Sequence, residues 1–204
     1  MTDYRFSGRE RATVELDGWF RPGGLAVPRR LALELDGDGR ARVRLFAFHV
    51  DDLRIARVPV FRASYAEILW RVAVRAGDTP AWWIAACDLG AWTARLAAAR
   101  YVRYPVRRGK VDVSLDHVRA DGLAISLGPA GTEEIAPEPR PVLVGANAEW
   151  EVPFADDGPP ARPAVATVEA DSLAEQTLQA PVTWAPAAFV RVNRQHRCGA
   201  AHSR

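Results

Sequence analysis

The stretch Ser64-Tyr65-Ala66-Glu67-Ile68-Leu69-Trp70-Arg71-Val72-Ala73-Val74-Arg75 decides the fold. Its even positions, Ala66, Ile68, Trp70, Val72 and Val74, are all apolar, whereas Tyr65, Glu67, Leu69 and Arg71 mix polar and apolar side chains. A period of two is the mark of a β-strand, whose successive side chains point to opposite faces. Glu67 is therefore off the greasy face. In an open sheet its face meets water, but in a sheet curled into a barrel either face can be the lumen. A lumen of Tyr, Glu, Leu and Arg suits a polar ligand, which makes Glu67 and Tyr65 candidate site residues. Arg71 and Arg75 read as surface side chains.

The same strand-and-turn spacing surrounds this stretch. Residues 65–75 and 81–88 flank Gly77-Asp78-Thr79-Pro80, residues 30–35 and 40–49 flank Asp36-Gly37-Asp38-Gly39, and residues 111–115 and 123–127 flank Ala120-Asp121-Gly122. Each pair reads as a β-hairpin. One helix is predicted over 90–100, where Trp92, Leu96 and Ala99 recur at helical spacing and Asp88 can cap the start. After Gly128 the chain is loop-like over 129–141 and 153–163, with strands predicted at 141–144, 164–169 and 189–192. Residues 194–204 show no period, so the reading is one domain over 1–193 and a disordered tail. The expected fold class is mainly β (α+β): antiparallel strands curled into a barrel or cone, with one or a few short packing helices.

With 204 residues, 25% charged and 49% hydrophobic, the chain can bury one substantial core. Its 27 basic and 25 acidic side chains leave a net charge of +2, too little to gather nucleic acid or an anionic membrane. Arg103, Arg107, Arg108 and Lys110 form a basic run near Tyr101 and Tyr104, but no aromatic RNA-binding signature accompanies it. No nucleic-acid or membrane partner is expected. No apolar run approaches the roughly 20 residues needed to span a bilayer, and the start Met1-Thr2-Asp3-Tyr4-Arg5 lacks a signal-peptide pattern. Cys87 lies in the apolar run 81–87 and Cys198 in the polar tail, so no disulfide is expected and the cytoplasm is the expected compartment.

Gly-rich phosphate loops, a Gly-x-Ser-x-Gly elbow and Cys-x-x-Cys pairs are all missing, which removes nucleotide cofactors and standard hydrolase triads. His49 beside Asp51-Asp52 falls short of a ligand set, as do His196, Cys198 and His202. No metal and no cofactor is expected, and His49 reads as a pocket-rim residue. Trp70, Trp82, Trp83 and Trp92 sit in apolar patterns and read as core. Every basic side chain except Lys110 is arginine. Lys110 shares strand parity with Asp112, Ser114 and Asp116, opposite Val111, Val113 and Leu115, which turns it toward water beside carboxylates. That setting raises an amine's pKa, whereas an imine-forming lysine needs it lowered.

Three segments, taken in order, resemble the acetoacetate decarboxylase-like superfamily, including its short bacterial branch. Tyr4-Arg5-Phe6-Ser7-Gly8-Arg9-Glu10 is similar to the family's N-terminal segment, Ser64-Tyr65-Ala66-Glu67 to its Tyr-x-Glu strand, and Ala99-Arg100-Tyr101-Val102-Arg103-Tyr104-Pro105 to the run leading into its Pro-Lys-Lys. The resemblance covers about 4–127. It implies that Glu67 is a catalytic carboxylate and Arg9 an active-site arginine. It also implies a departure: Val106 stands where the family's Schiff-base lysine is expected, Arg107 where its activating cation is, and Arg44 near the place of a second carboxylate.

Three readings follow, all resting on fold-level analogy. In the first, the chain is an enzyme acting on a keto or carboxylate-bearing small molecule, a non-imine lyase, dehydratase, isomerase or cyclase. Glu67 is then the acid/base, Arg9 and Arg107 hold an anionic substrate, and Tyr65 and His49 line the site. In the second, the barrel binds a small molecule without catalysis and Glu67 and Arg9 form a structural ion pair. In the third, Lys110 forms an imine in a decarboxylase or aldolase. The apolar strands also allow a homo-oligomer.

Overall fold

The alternation around Glu67 belongs to a strand longer than the pattern predicts. The computed structural model describes residues 4–56, 58–136, 138, 140–153, 159–199 and 202–203, the side chains of 4–5, 58–61, 193, 195–196 and 203 excepted. In chain order the strands are β1 Tyr4–Phe20, β2 Ala32–Leu33, β3 Ala41–Ile55, β4 Val58–Ala76, β5 Thr79–Leu89, β6 Val106–Arg108, β7 Val111–Val113, β8 His117–Ala120, β9 Leu123–Ala130, β10 Val142–Val144, β11 Trp150–Val152, β12 Arg162–Ala170, β13 Val182–Gly199 and β14 His202–Ser203. Helix α1 (Trp92–Ala97) continues into a π-helical turn, Ala98–Val102, and α2 spans Ser172–Leu178.

Among the described residues fourteen strands join one mixed sheet, in the order β14-β11-β10-β5-β4-β3-β1-β13-β12-β9-β8-β7, with β2 on β4 and β6 on β5. The ladders are antiparallel except those of β5 with β6 and with β10. The sheet folds back so that β7 packs against β1, β3 and β4, yet β7 and β14 remain its two ends. A closed barrel is therefore too strong a description. The hairpin about Gly77 forms as predicted, joining β4 to β5. The other two differ. The turn after Asp36 is real, with Leu35 bridging Ala41, but β2 pairs with β4. The Asp121-Gly122 turn joins β9 to β8, and it is β8 that pairs with β7.

Both faces of the central strands are buried. Ala66, Ile68, Trp70, Val72 and Val74 join Val14, Leu16, Val43 and Leu45 in an apolar cluster that α2 caps with Ala174 and Leu178. On the opposite face Phe6, Phe46, Phe48, Leu69, Trp82 and Ile84 form a second cluster under α1. Charged groups share this second layer, and Arg71, read from sequence as surface, is buried there with its guanidinium 3.8 Å from the Phe46 ring centre. A long apolar stem and a flat cation suit such stacking. Arg75 is exposed as expected.

Three further expectations change. Helix α1 starts at Trp92 with Ala91 as N-cap and no side-chain cap, because Asp88 is taken up elsewhere. The helix turns Ala94 and Ala97 inward, leaving Trp92, expected in the core, 65% exposed. The chain beyond 193 continues in β13 as far as Gly199, paired along β1, with Arg194 and Cys198 buried. The partner strand supplies the order that local periodicity did not reveal.

Candidate functional site

Glu67 sits mid-strand in β4, opposite Phe48 on β3 and Leu89 on β5. The residue is 2% exposed and lines a small, partly open cavity of about 30 Å³ beneath α1. Tyr65, Phe6, Phe48, Tyr104 and Cys198 line the same space, and the helical side contributes only Ala94, Ala97, Ala98 and Val102. A water needs about 10–15 Å³ of such volume, so the cavity holds one or two.

A β-bulge brings in the group that touches Glu67. Trp82 and Ile84 of β5 face the second cluster, so strict alternation would turn Cys87 away from it. The register slips between the Trp70–Ala86 and Arg71–Ile84 pairs, which reverses the parity beyond. Cys87 now donates its S–H to Glu67 Oε1 at 3.2 Å. The same slip points Asp88 to the other side, where it accepts from Trp70 Nε1 at 2.7 Å and from Arg107 Nε and Nη2 at 3.0 and 2.6 Å.

Burial pushes the Glu67 pKa up to about 7, against the lowering effects of the Cys87 hydrogen bond, the Arg71 charge and a hydrogen bond with Tyr65. Glu10, also buried, adds like-charge repulsion. Burial likewise raises the Tyr65, Tyr104, Cys87 and Cys198 pKa values, so these groups stay protonated as hydrogen-bond donors. Burial lowers the Arg71 value to about 10, which leaves it a cation at neutral pH. The cavity thus combines a carboxyl that is half ionised near neutrality with neutral phenol and thiol donors. That is a set able to take and return a proton.

Of the residues singled out from sequence, the cavity gathers Glu67 and Tyr65. Arg9 is exposed: Phe6 and Glu10 occupy the inward positions of β1, which puts Arg9 on the other face. His49 lies 3.4 Å from Asp51, on the face shared with Ala47 and Ala66 rather than with Phe48. Arg107 is held by Asp88 and by Thr177 Oγ1 at 2.8 Å. Lys110 is exposed, as its parity predicted, and Val106 packs on the second cluster beside Cys87. Sequence reasoning missed Tyr104 and Cys198, which line the cavity, and Cys87, which donates to Glu67. The Tyr104-Pro105 stop was one usable signal, since it directs a tyrosine inward at the end of the helical segment.

Among the described residues no group of His, Cys, Asp and Glu side chains is arranged to hold a metal ion. Among the described residues no helix is long and apolar enough to cross a membrane.

No protein-family model matches the chain, and no curated protein matches it either. Solved structures do. A structure of acetoacetate decarboxylase superposes with a TM-score of 0.71 at 14% identity, covering 99% of this chain and 90% of that one. Acetoacetate decarboxylase from Legionella pneumophila gives 0.70 at 12% identity, over 98% and 87% of the two chains. The enduracididine biosynthesis enzyme MppR, in complex with the condensation product of pyruvate and imidazole 4-carboxaldehyde, gives 0.65 at 12% identity over 98% and 88%. At such identities the likeness speaks for architecture, and the architecture of this chain is the acetoacetate decarboxylase-like fold.

Proposed function

We propose that the chain is an enzyme acting on a small keto compound, with Glu67 as general acid/base and no imine intermediate. The observation that carries this reading is a buried carboxyl with a pKa of about 7 lining a small cavity among neutral donors. In the proposed step Glu67 takes a proton from the carbon next to a carbonyl. The developing enolate oxygen accepts a hydrogen bond from the Tyr65 or Tyr104 hydroxyl, and Glu67 then returns the proton. Exposure of the single lysine supports the non-imine form, with Val106 in the family's lysine position. MppR, a structural neighbour, has been captured with pyruvate, which supports a keto substrate. Two free thiols agree with a cytoplasmic location.

The test is hydrogen–deuterium exchange of the methyl groups of pyruvate and of acetone in D₂O, followed by NMR. Exchange is expected above background, governed by a group titrating near 7, and about 10²-fold slower or more in Glu67→Gln. Equal rates in the two proteins, or a borohydride-trapped adduct at Lys110, overturn the reading. One observation favours a non-catalytic binding barrel instead: the cavity measures only about 30 Å³. Saturable binding of either compound without exchange would support that alternative.

A further inference from the structure

A groove far larger than the cavity at Glu67 opens between the β7–β8 turn, β9, β12 and β13. Its volume of about 570 Å³ lies within the range of roughly 300–1,000 Å³ typical of small-molecule sites. The walls are pinned. Leu127 N–H donates to the Asp116 carbonyl at 2.8 Å, Gly131 N–H donates to the Pro163 carbonyl at 2.7 Å, and Ile135 bridges Ala161. Pro129, Pro159 and Pro160 line the groove with fixed φ angles, so the concavity stands preformed and little ordering is needed on binding.

Charge in the groove is layered by depth. At the floor Arg191, 5% exposed, forms an ion pair with Glu15 at 3.2 Å. A guanidinium carries five N–H donors and can serve Glu15 and a second carboxylate together. Leu127 and Val190 are buried beside it, and the exposed Leu115 and Val192 carry the apolar walls outward. The mouth holds the exposed carboxylates Asp116 and Glu134 with one cation, Arg162, 3.6 Å from Glu134. Asp116 also accepts from Ser114 and lies 3.1 Å from His117 Nδ1. Among the described residues the lining is therefore balanced, two carboxylates against two guanidiniums, which suits a molecule that carries both charges rather than a simple anion or cation.

We propose that this groove binds a short apolar peptide, a zwitterion whose carboxylate and ammonium stand at opposite ends of an apolar body. The carboxylate reaches Arg191, the body lies along Leu127, Val190 and Val192, and the ammonium meets Asp116 and Glu134. The site is separated from Glu67 on β4 by β1 and β3 and does not depend on the role of that residue.

Calorimetric titration of the full chain with leucyl-leucine tests this. Saturable binding is expected, with N-acetyl-leucyl-leucine and leucyl-leucine amide each about tenfold weaker because each lacks one charged end. Asp116→Asn combined with Glu134→Gln, both at exposed positions, is expected to weaken leucyl-leucine about tenfold and to leave the N-acetyl compound unchanged, a pattern that damage to the fold does not produce. Val192→Asp is expected to abolish binding of all three compounds, and Glu67→Gln to bind them as the wild type does. No saturable binding up to about 10 mM overturns the proposal. So does equal affinity for the three compounds, which marks apolar adsorption only, or a double variant or Val192→Asp that binds as wild type. A loss of leucyl-leucine binding in Glu67→Gln places the compound at Glu67 and overturns it as well.

Discussion

Asp17 and Glu67 are both buried carboxyls on the second layer of the sheet, on β1 and β4 with β3 between them, and they titrate in opposite directions. Burial pushes both values up. At Asp17 it is outweighed by Arg44, whose Nε and Nη2 donate at 2.7 and 3.0 Å, and by Arg42 at 2.6 Å, so the net shift is downward. Arg42, Arg44 and Arg140 also crowd the Trp82 ring at 5.0 to 5.3 Å, and Glu15 and Glu138 complete the network. At Glu67 the direct partners are a thiol and a phenol, and burial prevails. Burial of both carboxyls therefore yields an ion-paired anion at one end and a carboxyl with a raised pKa at the other, according to whether a guanidinium donates to it.

Removing the arginine should break this contrast with the largest effect. Arg44→Met is expected to cost about 3–5 kcal/mol by leaving Glu15 and Asp17 buried beside too little positive charge, a loss read from urea denaturation. A loss below about 1 kcal/mol would mean that the network adds nothing to stability.

The pH dependence of stability comes next, and the two carboxyls contribute with opposite signs. The folded-state value of Glu67, about 7, lies above its ordinary 4.5, so folding favours the protonated form. Stability from this group is full below about 4.5 and falls as pH rises to about 7, by on the order of 3 kcal/mol at 1.36 kcal/mol per pK unit. Asp17, shifted below 3.8, contributes stability above that value that is lost as pH falls through its folded-state pKa. Glu67→Gln is expected to be more stable than wild type at pH 8 and about equal near pH 4. Denaturation curves with the same pH slope in both proteins would show that Glu67 is not shifted.

A smaller effect tests the thiol. Cys87→Ala removes the donor to Glu67 Oε1 and should raise the Glu67 pKa further, at a cost of about 1 kcal/mol at pH 8. The carboxyl ¹³C shift through a pH titration reports it, and an unchanged midpoint would remove Cys87 from the site. Smallest of all, Arg9→Ala on the exposed face should alter stability by no more than about 0.5 kcal/mol and leave the Glu67 titration where it was. A clear change in that titration would return Arg9 to the site.

What was legible in the sequence depended on local rules. The β4 alternation, the Gly77 turn and the outward Lys110 follow from parity and turn chemistry within a few residues, and all are found in the structure. Glu67 and Tyr65 were legible for the same reason. Arg9 and Cys87 were not, because their facing depends on irregular register along β1 and β5. A single extra residue reverses every side chain beyond it. Trp92 misled because helical spacing shows that a face exists and not which neighbour it meets. The span beyond 193 misled because its order comes from pairing with β1, almost two hundred residues earlier in the chain.

The sequence by itself determined a mainly β chain, a strand with Glu67 off its apolar face and a lone lysine directed to water, because strand parity and turn preference act over neighbouring residues. Only the tertiary structure decided that the Glu67 face is closed from solvent, that Cys87 rather than Arg9 meets the carboxyl, and that the arginines gather at the other end. Those outcomes follow from which strands lie side by side and where their register slips. Desolvation and charge pairing, the two effects that part Glu67 from Asp17, exist only once the chain has folded.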